Sequence, residues 1–262
     1  MVVPLRVATL NICGLPTVLS GLPPLAVRAA EIGRRLEASD VDLLNVQELW
    51  GRRGLATLRR HLPSFEHVAR HPAISGGPAG GVATFSRHPL GRAHYRSFAG
   101  TAPRTSTARF RAGRALNARR QGTLAVTMGD TLVVNTHLTA NKDGRWTTDN
   151  RYFHFHRDQL ERLHAFVEEQ PTALRTILTG DFNIASRSPL DPFVTEDGAW
   201  HDPFEHTDLT TFRAEFLPHG STVHRIDYIL LKGATALDAK PLFDDEVLSD
   251  RIGLTVGLEL PV

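Results

Sequence analysis

Two apolar strand patterns, residues 123–128 and 132–136, are separated by little more than Gly129-Asp130, a turn pair of the tight hairpin kind. So short a connection joins antiparallel neighbours, because a parallel crossover needs a dozen or more residues. Amphipathic helical patterns occur in the same chain. The combination argues against a doubly wound parallel sheet and predicts an α/β fold of mixed or antiparallel sheets with helices packed outside. With 262 residues the chain can bury a substantial core. No linker, repeat or low-complexity stretch divides it, so a single domain over residues 1–262 is expected.

Residues 5–11 alternate as a strand ending at Asn11, and the glycines and prolines of residues 14–24 then forbid regular structure. Val27, Ile32 and Leu36, set among Arg28, Arg34, Arg35 and Glu37, predict an amphipathic helix of about three turns. Residues 41–46 read as an interior strand, apolar on both faces apart from Asp42 and Asn45, that delivers Gln47 and Glu48 to its end. A short helix is expected over 54–61 and strands over 65–70, 82–86, 223–231 and 254–260. Asn150 is expected to cap a helix that runs to Gln170 and stops at Pro171. Residues 101–120 show no period and read as loop with strand at its ends; residues 141–150 read as a long loop. Residues 186–217 are turn-rich, and the aromatic side chains Phe193, Trp200, Phe204, Phe212 and Phe216 there read as packing residues, since few basic residues interleave with them.

Composition narrows the function. A lone Cys13 rules out an internal disulfide and a cysteine-based zinc site. No apolar run reaches the roughly 18 residues of a spanning helix. Residues 1–10 run straight into a strand pattern without a charged and then apolar leader, which predicts a cytoplasmic protein, with a trimmed secreted form left open. A net charge of +2 does not mark a nucleic-acid binder. Arg104, Arg109, Arg111, Arg114, Arg119 and Arg120 nevertheless fall in one stretch without an acid. They suit an anionic substrate or, equally, a solvated basic loop.

Residues 176–178 end a buried strand, after which Gly180 breaks the run and Asp181 and Asn183 emerge two positions apart, on one face. A carboxylate beside a carboxamide at a strand end suits phosphoryl chemistry, although Gly-Asp-x-Asn also suits a plain turn. Other strand ends carry Asn11, Glu48, His137, Asp227 and, near the C-terminus, Asp250. Together they describe oxygen ligands suited to Mg²⁺ or Mn²⁺, which take one or two carboxylates with water and substrate phosphate.

These residues lie in short motifs that follow one another in order: Leu10-Asn11-Ile12-Cys13-Gly14-Leu15-Pro16, Val46-Gln47-Glu48-Leu49-Trp50, Gly81-Val82-Ala83-Thr84-Phe85-Ser86-Arg87-His88-Pro89-Leu90, Asn135-Thr136-His137-Leu138, Gly180-Asp181-Phe182-Asn183, Arg225-Ile226-Asp227-Tyr228 and Leu248-Ser249-Asp250. The set resembles the endonuclease/exonuclease/phosphatase superfamily, DNase I-like in fold, and within it the neutral sphingomyelinase branch. The resemblance implies a four-layer α/β sandwich with two sheets face to face and the site at one edge. It implies Glu48 as metal ligand with Asn11 beside it, and Asp181 and Asn183 acting on the attacking water and phosphate oxygens. It also implies His137 on the phosphate, Asp227 orienting a histidine base, Asp250 next to that base, and Arg119 as a substrate contact. The implied substrate is a phospholipid or phosphorylated small molecule rather than a nucleic acid, and the protein is expected to be a monomer.

Where that family reads Ser-Asp-His, this chain has Ser249-Asp250-Arg251. A guanidinium stays protonated and cannot take a proton from water. His224 looks like a poor replacement, since three residues from Asp227 along a strand it should face the other way. Arg251 is expected to form a charge-assisted, bidentate pair with Asp227. Three readings are open: a Mg²⁺-dependent phosphoesterase that tolerates Arg251, a site repurposed for non-hydrolytic chemistry such as cyclisation, elimination or transfer, and a binding module.

Overall fold

The computed structural model describes residues 3–104, 106–219 and 221–260, so Met1 and Val2, part of the segment read for a leader, lie outside it. The strands are β1 (Val3–Asn11), β2 (Leu43–Gln47), β3 (His67–Ala69), β4 (Ala83–Ser86), β5 (His94–Ser97), β6 (Gly122–Met128), β7 (Thr131–His137), β8 (Arg175–Asp181), β9 (Asp227–Lys232), β10 (Thr235–Leu242) and β11 (Gly253–Leu260). The helices are α1 (Thr17–Ser20), α2 (Leu25–Glu37), α3 (Gly51–Arg60), α4 (Ala108–Arg120), α5 (Phe153–Glu168) and α6 (Asp191–Val194). Six strands form one sheet in the order β10-β11-β1-β2-β4-β3, and five form the other in the order β5-β6-β7-β8-β9. Both sheets are mixed: β1 with β2 and β7 with β8 are parallel, and every other pair is antiparallel.

Alternation along the strands builds the layers. Leu5, Val7 and Leu43 of the first sheet meet Val133, Ile177 and Ile229 of the second in a central apolar layer. The intervening Ala8, Leu10, Leu44 and Val46 face outward onto Ile32 and Leu36 of α2 and Leu55 and Leu58 of α3. Leu132, Val134 and Leu178 likewise face Phe155, Leu160 and Leu163 of α5. Strands buried on both faces are apolar at nearly every position, and the result is the four-layer sandwich. One polar link crosses the central layer: Gln47 donates to the Asn135 side-chain oxygen (2.8 Å), and Asn135 donates to the carbonyls of Val46 and Ala83 (both 3.0 Å). Among the described residues no helix is long and apolar enough to cross a membrane.

Several local expectations are corrected. Residues 108–120, read as loop, form α4, capped by Thr107, whose hydroxyl accepts from the Phe110 N–H (3.4 Å). Only Ala118 of this helix is buried, so it has no apolar stripe to announce it. Asn150 does not cap α5. Its side chain accepts from the Tyr152 N–H (2.9 Å) and closes the turn that precedes the helix. The strand expected from residue 223 begins at Asp227, which leaves Val223 and His224 in irregular chain. The edge strands β5 and β10 were not anticipated; β5 is largely exposed, and β10 carries a bulge between Ala236 and Asp238 that breaks the alternation.

Candidate active site

The two parallel pairs bring their C-terminal ends to one edge of the sandwich. Asn11 lies in register with Gln47, just before Glu48, and His137 with Asp181; antiparallel β9 sets Asp227 opposite Asp181. Beyond β2 the backbone turns sharply, with Glu48 at φ 58°, and Cys13 (47°) and Asn183 (53°) share this left-handed conformation. A Cβ on Gly14 would sit 2.1 Å from the Glu48 carbonyl oxygen, which explains the glycine that follows Cys13.

Asn11 ties the carboxylates together. Its amide nitrogen donates to Asp181 Oδ2 (2.9 Å) and Glu48 Oε1 (3.2 Å), and its oxygen accepts from the Cys13 N–H (2.9 Å). The backbone donor fixes the amide orientation, so Asn11 turns its nitrogen toward Glu48 and Asp181. Glu48 Oε2 has no partner among the described residues although it is shielded from solvent. Burial raises the Glu48 pKa, opposed by the nearby His137 and Arg251. A buried carboxylate with a free oxygen fits a hard divalent cation. Among the described residues no three His, Cys, Asp or Glu side chains form a ready cage.

Asp181 is fully buried; its Oδ1 accepts from the Asn183 N–H (2.9 Å). The Asn183 side-chain nitrogen donates to the Leu138 carbonyl (2.9 Å), which leaves it a second N–H. His137 Nε2 lies 3.3 Å from the amide nitrogen of Gln121, which also donates to the Leu138 carbonyl (3.0 Å). An amide nitrogen can only donate, so Nε2 accepts and the proton sits on Nδ1, which has no partner.

Arg251 is 5% exposed and packs its guanidinium over the Phe212 ring (3.8 Å). The expected bidentate pair with Asp227 is absent. Arg251 donates to Asp250 (2.8 Å) and Asp181 (3.2 Å), while Nε stays 3.8 Å from Asp227. Among the described residues neither Asp227 carboxylate oxygen has a hydrogen-bond partner. Its pKa is well above the usual carboxylate range because of burial and then the neighbouring Asp181.

Two cavities open onto this cluster. The first, about 390 Å³, is lined by Leu15, Glu48, Trp50, Asn117, Arg120 and His137 among others, and the second, about 650 Å³, by Lys142, Trp146, Phe212 and His224. Asn183, Ala140 and Arg251 line both. The structure places Arg120 on the first wall, whereas Arg119, expected to contact substrate, is not among the lining residues. One helical position separates the two, and a stretch read as loop carries no phase to choose between them. His224 does not face away: residues 221–226 are not a strand, so strand parity does not apply to it. Phe212 read as packing and serves both roles. Trp146 lies in a loop and had no signal.

The sequence matches the endonuclease/exonuclease/phosphatase family over residues 8–250, and the chain belongs to that family. Its fold is similar to that of sphingomyelinase C from Streptomyces griseocarneus, at 17% identity and a TM-score of 0.74 over 97% of this chain and 99% of that one. It is also similar to a Staphylococcus aureus beta toxin mutant with bound magnesium ions (16% identity, TM-score 0.69, 97% and 99% covered). D. rerio TDP2 complexed with a single-strand DNA product is similar as well (17% identity, TM-score 0.70, 98% and 99% covered). No curated protein sequence matches the chain.

Proposed function

We propose that this chain is a divalent-metal-dependent phosphoesterase that hydrolyses a phosphodiester or phosphomonoester. The observation that carries this reading is the shielded, unpartnered Oε2 of Glu48 in a residue that lines the same cavity as His137, Asn183 and Arg251. Glu48 would hold Mg²⁺ or Mn²⁺, and the ion would supply Lewis-acid polarisation of a phosphoryl oxygen. Asn183 and Arg251 donate to the phosphate oxygens, and the fixed guanidinium stabilises negative charge that develops there. His137 lines the same cavity, and its shielded Nδ1 has no hydrogen-bond partner among the described residues. The magnesium-bound toxin of the same fold supports the metal.

A phospholipid substrate is favoured by the rim of the first cavity. Leu15 on its wall is followed by Val18 and Leu19, which are 91% and 71% exposed. Exposed apolar side chains beside a phosphate site suit a lipid interface better than a polynucleotide. A second reading has its own observation: Arg251 in place of a base favours chemistry that expels or transfers phosphate without activating water. Release of p-nitrophenol from bis(p-nitrophenyl) phosphate and of phosphocholine from sphingomyelin vesicles, with and without Mg²⁺, tests the proposal. Metal-dependent turnover that Glu48→Gln abolishes is expected. Absence of hydrolysis in the presence of bound metal would favour the second reading.

A further inference from the structure

Hydrolysis needs a group that takes a proton from water, and Arg251 cannot do so. The neighbouring acids are poorly placed to help. Asp181 already accepts from Asn11, Asn183 and Arg251, Asp250 accepts from Ser249 and Arg251, and Asp227 is buried at 2% exposure. The shape of the site suggests where to look. A phosphate seated at Asn183 and Arg251 stands where the two cavities meet, with His137 in the first and His224 in the second. In-line displacement puts entering and leaving oxygens on opposite sides of phosphorus, so the base and the leaving group belong in opposite cavities.

Among the described residues of the second cavity, the charged or titratable groups are Lys142, Asp143, His224 and Arg251. Lys142 and Arg251 are cations without a lone pair to offer. Asp143 is held by Arg151, whose Nε and Nη2 both donate to it (2.8 and 2.5 Å). His224 alone keeps a ring nitrogen able to accept a proton. Two contacts tie it to the phosphate seat. Its ring packs edge-on against Trp146 (5.0 Å between centroids), and the Trp146 N–H donates to the Asn183 carbonyl (2.9 Å). Its own carbonyl accepts from the N–H of Phe212 (3.3 Å), the residue whose ring lies against the Arg251 guanidinium.

We propose that His224 is the general base of this chain, taking a proton from the water that attacks a phosphate held by Asn183 and Arg251. The assignment rests on the phosphoesterase reading above. As the bond from water oxygen to phosphorus forms, the proton passes to the imidazole. The bond from phosphorus to the leaving oxygen breaks, and that oxygen departs into the first cavity, where it takes a proton from solvent. His224 then returns its proton to solvent. Burial lowers the His224 pKa below its usual 6.5, so the ring is neutral and able to accept near pH 7.

The test uses bis(p-nitrophenyl) phosphate with Mg²⁺, because nitrophenolate leaves without needing a proton and the assay reports the base alone. His224→Gln and His224→Ala should lower kcat by roughly 10²- to 10⁴-fold with little change in KM. The wild-type rate should rise with pH through an acidic limb that the variants lack, and added imidazole should restore part of the His224→Ala rate. Inorganic phosphate should inhibit all three forms competitively with similar strength, which a misfolded variant would fail to show. An active wild type whose rate and acidic limb survive in His224→Ala overturns the assignment of His224 alone. So does a loss expressed in KM without imidazole rescue. A wild type that binds Mg²⁺ and phosphate yet hydrolyses nothing overturns the phosphoesterase reading, and the base with it.

Discussion

Replacing Arg251 with methionine keeps much of the side-chain volume and removes the charge that three carboxylates share. Asp181, Asp227 and Asp250 lie within 4.0 Å of the guanidinium, whose side chain is 6% exposed. Breaking a buried ion pair from one side costs about 3–5 kcal/mol, because the partner charge is left uncompensated. At about 2 °C per kcal/mol for a chain of this size, Tm should fall by roughly 6–10 °C near neutral pH. The pH dependence fixes the cause. Arg251, whose pKa is raised by these carboxylates against the opposing effect of burial, stays charged throughout, so it adds no titration of its own. In the variant Asp227, whose pKa burial and the neighbouring Asp181 already raise, loses the Arg251 charge that opposes the shift, so its folded pKa lies further above the unfolded one. The folded variant then binds more protons than the unfolded chain, and its stability recovers as pH falls. Thermal unfolding of both forms without metal should show a Tm gap that is widest near about pH 8 and narrows toward about pH 5. An equal Tm near pH 8, or a gap that widens on acidification, would refute the reasoning.

Other outcomes are equally specific. Glu48→Gln should weaken Mg²⁺ binding in isothermal titration, and unchanged affinity would remove Glu48 as the ligand. Arg120→Ala should raise the substrate KM, and more so at low salt where attraction is unscreened, while Arg119→Ala should do little; equal effects would mean that α4 acts only through its summed charge. In a His224→Gln background, Arg251→His should raise hydrolysis, since the unpartnered oxygens of Asp227 are there to orient an imidazole. No gain in that double variant would show that Asp227 cannot serve a base at position 251.

What the sequence disclosed follows from where its physics was local. Asn11, Glu48, His137 and Asp181 were legible because each is a polar residue ending an apolar strand, and the two parallel pairs bring such ends together. The layers were legible from strands apolar on both faces. Helix α4 was not, because it buries only Ala118 and its arginines conceal any period. His224 was misread because parity was carried back past the start of β9 into chain that is not a strand. The choice of Arg120 over Arg119, and the place of Trp146 in the second cavity, depend on contacts between segments far apart in sequence.

The placement of β11 between β10 and β1 governs when the site can exist. Val7 pairs with Val256 on one side of β1 and with Leu43 on the other. The first sheet therefore closes only when segments almost a whole chain length apart have met, the kind of long-range pairing that slows folding. Arg251 stands two residues before β11 begins and docks against Asp181 along with it. During synthesis the acidic half of the site emerges well before the cation that neutralises it. A nascent chain that has not yet added β11 would thus hold Glu48 and Asp181 without the guanidinium that pairs with Asp181.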